Sequence, residues 1–170
     1  MPGTPHHALG DPRLTTIATT VLAVVVVVGS LASIESRFAD RNEYAAVGGL
    51  AYALVYLVLW ALVPTMFWHF AVNPMAEPFL FAGIVGFGSL VLFAQAALPL
   101  YLYSRWTLRL PVVGLFVVSW VCGYLFFRVG GESGATFTLF LWSAMLAPVG
   151  IVAIGGLGTI ERRLRGIVDS

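Results

Sequence analysis

The sequence predicts an all-α membrane protein, a bundle of five transmembrane helices. Hydrophobic residues make up 59% of the 170-residue chain, charged residues only 10%, and the mean hydropathy is +0.93. A typical soluble domain has about 25% charged residues. The surface of a soluble chain of this size needs more polar cover than this sequence offers. The composition therefore excludes a soluble globular domain, a disordered chain and a nucleic-acid-binding protein.

Five continuous apolar stretches have the length of a membrane-spanning helix. A bilayer core about 30 Å thick needs about 20 apolar residues in helical conformation. No charged residue lies inside any of these stretches, and they lack the alternation of membrane strands. We predict a leader outside the cytoplasm at 1–13, a transmembrane domain at 14–158 and a cytoplasmic tail at 159–170. The five predicted spans are 14–34, 45–72, 79–103, 110–127 and 135–158.

The distribution of arginines predicts the orientation of the bundle. All nine basic residues are arginine, and short connections make neighbouring helices antiparallel. One side of the predicted bundle carries seven arginines and the other carries only Arg13 and Arg128. Positively charged connections stay in the cytoplasm, so we expect a multi-pass protein of the cell membrane with its N-terminus outside and its C-terminus in the cytoplasm. The seven arginines of the cytoplasmic side are Arg37, Arg41, Arg105, Arg109, Arg162, Arg163 and Arg165.

Small residues recur every four positions in three of the spans. This spacing lets helix backbones approach closely, so we expect these faces to pack against another helix of the chain or against a partner. The three faces are Ala45, Gly49 and Ala53, then Thr15, Thr19 and Ala23, then Ser119 and Gly123.

Aromatic residues are assigned to two roles. Tyr52, Tyr56 and Trp60 form a stripe at helical spacing, for which we expect packing between helices. The alternative is a pocket for a lipid tail, a quinone or a porphyrin. Trp142 is assigned to a belt of aromatic residues at the outer membrane interface.

Gln95 is a buried amide in the third predicted span, and it needs a hydrogen-bond partner in lipid. We expect a hydrogen bond between helices, and the alternative is that Gln95 lines a polar cavity. Its candidate partners are Ser89, Ser119, Thr138 and Ser143.

Pro148 lies near the middle of the fifth span and is followed by several glycines. This combination indicates either a plain proline kink or an unwound segment that binds a ligand. We therefore group Gln95, Ser143 and Pro148 as a candidate solute pathway or polar packing site. No acidic or basic residue lies at mid-membrane, which argues against a proton- or ion-coupled pump.

A second group of polar residues is predicted on the outer side: His69, Asn73, Glu77 and Glu132. Their spacing matches no metal-ligand signature, and His69 alone cannot supply the two axial ligands of a b-type haem. The lone Cys122 allows neither an internal disulfide nor a cysteine metal site. We expect no metal and no cofactor.

Two short motifs resemble those of rhomboid intramembrane proteases: His69-x-x-x-Asn73 and Gly131-Glu132-Ser133-Gly134. In that family the second motif supplies a serine nucleophile and the first helps to hold the oxyanion. The family activates its serine with a histidine on a later helix, but this chain has none after His69, so Ser133 lacks a base. The resemblance implies at most a degenerate, non-catalytic relative.

The main functional prediction is a small non-enzymatic membrane subunit or accessory protein that packs through its small-residue faces. Membrane lipid and a homo- or hetero-oligomeric partner are the expected neighbours, with no nucleic acid. The first alternative is a small transporter or channel for an uncharged or lipophilic solute, with a pathway near Gln95 and Pro148. The second alternative is the degenerate rhomboid-like protein.

Overall fold

The computed structural model describes residues 6–32, 41–67, 75, 77–129 and 134–168. Within these ranges the chain forms a bundle of α-helices, which confirms the predicted fold class. Two strands of two residues each, β1 (His6–His7) and β2 (Arg128–Val129), pair antiparallel. The helices are α1 (Pro12–Ala32), α2 (Arg41–Phe67), α3 (Pro78–Trp106), α4 (Leu110–Phe126), α5 (Gly134–Leu141) and α6 (Ala147–Val168), with a π-helical segment, Trp142–Leu146, joining the last two.

Four stretches of helix in the described chain are long and apolar enough to cross a membrane: Pro12–Ala32, Asn42–Val63, Pro78–Trp106 and Thr138–Ile167. The fourth of these combines the second half of α5, the π-helical segment and most of α6. Helix α4 is equally apolar but has only 17 residues, which is about 25 Å of helix. It is therefore the shortest of the helical spans, each of which overlaps one of the five predicted spans; positions 33–34 and 68–72 of the prediction lie outside the described residues.

Helix α1 packs along α4 through a stripe of buried residues, Thr15, Thr19, Ala23 and Val27. The Thr19 hydroxyl donates to the Thr15 carbonyl of its own helix at 2.9 Å. This bond satisfies the hydroxyl without a partner helix, so the stripe is small and effectively apolar. A Cβ atom placed on Gly123 would lie 3.5 Å from the Thr19 methyl group, which shows how closely α4 approaches this face.

Helices α2 and α3 form the most extensive helix pair. Their contact runs along the predicted small-residue face, because Ala45, Gly49 and Ala53 are all buried. A Cβ atom on Gly49 would lie 2.9 Å from the Ala97 Cβ and 3.0 Å from the Phe93 carbonyl oxygen. Of the two alternatives left open by the sequence, contact within the chain is therefore the observed one.

Contacts at both ends of the bundle show that successive helices run in opposite directions. At one end, β1 pairs with β2 after α4, and the Ala8 N–H donates to the Phe127 carbonyl at 2.9 Å. At the other end, the Tyr44 hydroxyl at the start of α2 donates to the Ser30 carbonyl near the end of α1, at 2.6 Å. The residues of the predicted leader that are described are thus tied to the connection that follows α4.

The C-terminal part of α6 holds the turn between α3 and α4. The Glu161 carboxylate accepts hydrogen bonds from the backbone N–H groups of Arg109, at 3.0 Å, and Leu110, at 2.7 Å. Arg165 forms an ion pair with Glu161 at 2.6 Å and donates to the Thr107 carbonyl at 2.8 Å. A carboxylate at a helix start satisfies N–H groups that have no partner within the helix. We call Glu161, Arg165 and this turn the C-terminal latch.

The latch accounts for the largest difference between the predicted and observed helix ends. The fifth span was predicted to end at 158, but α6 continues to Val168. The charged residues after 158 mark the expected edge of the hydrocarbon, whereas the helix itself continues because Glu161 and Arg165 lie one turn apart and bind the same turn.

Candidate functional site

Polar side chains from four helical segments meet in the middle of the bundle. We call Tyr52, Tyr56, Gln95, Ser119 and Trp142 the central polar cluster. All five are buried, and Gln95, Tyr56 and Ser119 have no exposed surface. Tyr52 and Tyr56 come from α2, and the other three come from α3, α4 and the π-helical segment respectively. The cluster therefore joins every helical span except α1.

The hydrogen bonds of the cluster fix the orientation of the Gln95 amide. The Trp142 indole N–H lies 3.2 Å from Gln95 Oε1 and donates to it. An indole nitrogen can only donate, so the amide oxygen must face Trp142 and the amide nitrogen must face the opposite way. In that direction Gln95 Nε2 donates to the Tyr52 hydroxyl oxygen. One side chain on α3 is thus bonded to two other segments.

Ser119 extends this network to α4. Its hydroxyl lies 3.2 Å from the Tyr52 hydroxyl and hydrogen-bonds to it. The Tyr56 hydroxyl donates to the backbone carbonyl of Ser119 at 2.8 Å. The Tyr52 and Tyr56 rings stack with centroids 4.5 Å apart. The polar tips of the predicted aromatic stripe therefore bond to α3 and α4, while its rings fill the core.

The π-helical segment sits directly before Pro148. Within it, the Ala147 N–H donates to the Trp142 carbonyl, five residues back instead of four. Proline has no N–H, and its ring crowds the preceding turn, so a widened turn at this place relieves the crowding. The chain is continuously helical from Gly134 to Val168, so the segment before Pro148 is widened and not unwound.

Ser143 lies in the same widened turn and is buried. Its hydroxyl has no hydrogen-bond partner among the described residues. A buried hydroxyl without a partner costs about 1–3 kcal/mol. Widened turns of this kind occur frequently at functional sites. Ser143 is therefore the one member of the predicted pathway whose polar group remains available to a further ligand or solute.

The residues of the predicted pathway are not all brought together. Gln95 and Ser143 are buried, and Ser143 directly follows the Trp142 that bonds to Gln95. Pro148 is exposed on the outer surface of the bundle. The structure thus places two of the three residues in the core and the third on the surface that faces lipid.

The structure corrects two sequence-based assignments in this region. The hydrogen-bond partners of the Gln95 side chain are Tyr52 and Trp142 and not the four expected serines and threonines, of which Ser119 is joined to Gln95 through Tyr52. Ser89 instead donates to the Val85 carbonyl of its own helix. Trp142 is not an interfacial residue, because only 2% of its surface is exposed.

Comparison with other proteins adds no family. No protein-family model matches the chain, and no curated protein or solved structure matches it. The geometry of the bundle therefore carries the functional argument.

The predicted outer polar group falls mostly outside the described residues. His69, Asn73 and Glu132 lie outside them, as does Ser133 of the rhomboid-like motif. Glu77 is described and is exposed just before α3. The expectation that this group binds no metal and carries no protease activity therefore stays a prediction from the sequence.

The chemistry available to the central polar cluster is hydrogen bonding between neutral groups. Amide, hydroxyl, phenol and indole side chains carry no charge near neutral pH. Cys122, one turn after Ser119 on α4, is fully buried in the same core. The cluster can fix the positions of helices, or bind an uncharged molecule, without a change in protonation.

Proposed function

We propose that this protein is a small, non-enzymatic subunit or accessory protein of the cell membrane. The observation that supports this best is the central polar cluster, in which the Gln95 amide is buried and bonded to α2 and to the π-helical segment. Polar groups that bond to one another between helices stabilise and specify a membrane bundle. Because the Trp142 indole already donates to Gln95 Oε1, a substrate cannot reach this oxygen from the side that Trp142 occupies.

The surface that would meet a partner differs from the one that the small-residue spacing suggested. Those small-residue faces are filled by packing within the chain. Large apolar side chains remain exposed along α1, such as Ile17, Val21 and Val25. Because α1 packs mainly on α4, its outer face is available to lipid or to another protein. The proposal therefore places any partner on the outside of the bundle.

The first experiment uses the native thiol of Cys122 as a reporter of water in the core. The full-length protein in lipid nanodiscs is treated with a charged methanethiosulfonate reagent. We expect no modification until the protein is unfolded, since the thiol is fully buried beside the central polar cluster. The positive control is Leu9→Cys in a Cys122→Ala background, because Leu9 is exposed near the chain start. Reaction of Cys122 at a rate close to that of the control would contradict a dry core.

Association is tested separately in native membranes. Crosslinking between exposed positions of α1, for example after Val21→Cys in the Cys122→Ala background, should trap the chain with a second polypeptide. Recovery of monomer alone, under conditions that crosslink a known membrane dimer, would overturn the subunit proposal while leaving the dry core intact.

A small transporter for an uncharged or lipophilic solute is the second candidate. The unpartnered hydroxyl of Ser143 in the widened turn favours it. In this case a cysteine at position 143, in the Cys122→Ala background, should react with the charged reagent in the folded protein. Protection of that cysteine from both sides of the membrane would remove this candidate.

A further inference from the structure

The latch end of the bundle carries an excess of positive charge. Among the described residues at this end, six arginines stand against two glutamates, Glu43 and Glu161. Glu161 is already occupied, because it accepts two backbone N–H groups and pairs with Arg165. At the opposite end, the described arginines are balanced by Asp11 and Glu77. The six arginines are Arg41, Arg105, Arg109, Arg162, Arg163 and Arg165.

Three exposed arginines lie at the latch end, on the turn before α4 and on α6. Arg109 begins the turn into α4, and its backbone contact with Glu161 brings it beside α6. The Arg162 guanidinium stacks over the Trp106 ring, 4.9 Å from its centroid. Arg163 follows on the same turn of α6 and is exposed. Two segments distant in sequence therefore bring exposed arginines to the same end of the bundle.

An apolar stripe accompanies these charges along α6. Ile160, Leu164 and Ile167 are each more than half exposed, and their spacing of four and three residues places them on one face of the helix. Arg163 lies at the edge of that face. A helix that presents an apolar stripe beside basic residues is suited to the boundary between headgroups and acyl chains.

We propose that the latch end binds anionic phospholipid, with Arg109, Arg162 and Arg163 as the residues that attract the phosphate headgroups. Ile160, Leu164 and Ile167 then contact the acyl chains of the same region. A guanidinium matches a phosphate through paired hydrogen bonds, and several arginines beside a membrane helix attract anionic lipid. A zwitterionic headgroup carries a positive charge beside its phosphate. The arginines repel that charge, so this headgroup binds more weakly. The stacking of the Arg162 guanidinium over the Trp106 ring positions this arginine at the latch end.

The test measures lipid selectivity of the full-length protein. The protein is purified from nanodiscs that contain phosphatidylcholine and phosphatidylglycerol, and the retained lipids are counted by native mass spectrometry. We expect enrichment of phosphatidylglycerol over the bulk ratio, falling as the ionic strength is raised. Each of the three arginines should contribute up to about fivefold to this enrichment.

The decisive comparison is between two sets of charge-removing variants. Arg109→Gln, Arg162→Gln and Arg163→Gln together should abolish the enrichment, whereas Arg13→Gln with Arg128→Gln, at the opposite end, should leave it unchanged. Equal effects of the two sets, or no enrichment in the native protein, would overturn the proposal. Displacement of the lipid by inorganic phosphate at the same concentration would also overturn it, because the site would then recognise free phosphate.

A single variant keeps the test valid if the triple variant fails to fold. Arg163→Gln changes an exposed side chain outside the latch, so the Cys122 thiol should stay protected as in the native protein. It should still lower the enrichment of phosphatidylglycerol severalfold. An unchanged enrichment in this folded variant would count against the proposal.

Discussion

At the scale of single residues, Gln95 determines how the core of this bundle is organised. In hydrocarbon an amide must find partners within the protein. Gln95 finds one on each side, the Tyr52 hydroxyl and the Trp142 indole. Because an indole N–H cannot accept a hydrogen bond, only one orientation of the amide satisfies both partners. A single residue of α3 therefore sets the relative position of α2 and the π-helical segment.

The bond between Trp142 and Gln95 can be measured by a double-mutant cycle. Gln95→Leu and Trp142→Phe should each lower the free energy of unfolding, and the double variant should lose less than the sum of the two. We expect a coupling energy of about 0.6 kcal/mol, and at most about 1.7 kcal/mol, as for other hydrogen bonds between membrane helices. Unfolding in mixed micelles with rising dodecyl sulfate provides the measurement.

Ser89→Ala is the matched control for this cycle. Ser89 lies on the same helix as Gln95 but donates only to the Val85 carbonyl, at 2.6 Å within α3. Its removal should change the free energy of unfolding by no more than about 0.5 kcal/mol. Strict additivity of Gln95→Leu and Trp142→Phe would mean that their hydrogen bond contributes nothing to stability.

The need of Gln95 for a partner could be predicted from the sequence, but the identity of its partners could not. Serines and threonines are small and carry a hydroxyl group, so the sequence indicates them first as partners of a buried amide. Tyr52 and Trp142 instead have large apolar rings with one polar atom each. Their positions in the sequence therefore indicate packing between helices or a membrane interface and not a hydrogen bond. Which atom of an aromatic ring meets the amide depends on helix rotation, and helix rotation is fixed only when all the spans pack.

At the scale of elements, apolar runs predict helices well and predict their ends less well. The hydrocarbon dictates where a run of apolar residues must stop, but a helix can continue in the interface. This is what α6 does, because the latch supplies partners for Glu161 and Arg165. The widened turn at Trp142–Leu146 also has no periodic signal of its own. From the sequence, Pro148 indicates that the helix is distorted near this position, but it leaves open whether the distortion is a plain kink or an unwound segment.

The close contact of α2 and α3 gives a prediction about Gly49. Gly49→Ala should destabilise the bundle by about 1–3 kcal/mol, the usual cost of overpacking. The added methyl group would meet the Phe93 carbonyl oxygen at 3.0 Å, and a backbone atom can move away only if the helices separate. Unfolding in dodecyl sulfate, followed by tryptophan fluorescence, reports the change.

Gly86→Ala is the comparison for this variant. A Cβ atom on Gly86, also on α3, would have no neighbour within 4 Å. Alanine has the higher helix propensity by about 1 kcal/mol, so this substitution should be neutral or stabilising. If the variants at positions 49 and 86 moved stability in the same direction by the same amount, the α2–α3 contact would not be limited by space.

At the scale of the whole molecule, the two ends of the bundle differ, and the core between them is packed and hydrogen-bonded within the chain. The small-residue faces that the sequence offered for association are used between α1 and α4 and between α2 and α3. Lipid or a partner must therefore meet the remaining apolar surface. The latch end concentrates arginines, whereas at the other end β1 and β2 tie the residues before α1 to the connection after α4. This difference in charge between the two ends bears directly on the orientation of the protein in the membrane.

The asymmetry predicts that the latch end is cytoplasmic. Arg105, Arg109 and the arginines of α6 lie together at that end, as the counts along the sequence require, and basic residues next to spans are retained in the cytoplasm. A reporter that is active only in the cytoplasm should function when fused after Ser170, and one that is active only outside should function when fused before the leader. The exchanged pair of reporters is the control, and both should be silent. Activity of the outer reporter after Ser170 would reverse the orientation, and it would place the proposed lipid site in the opposite leaflet.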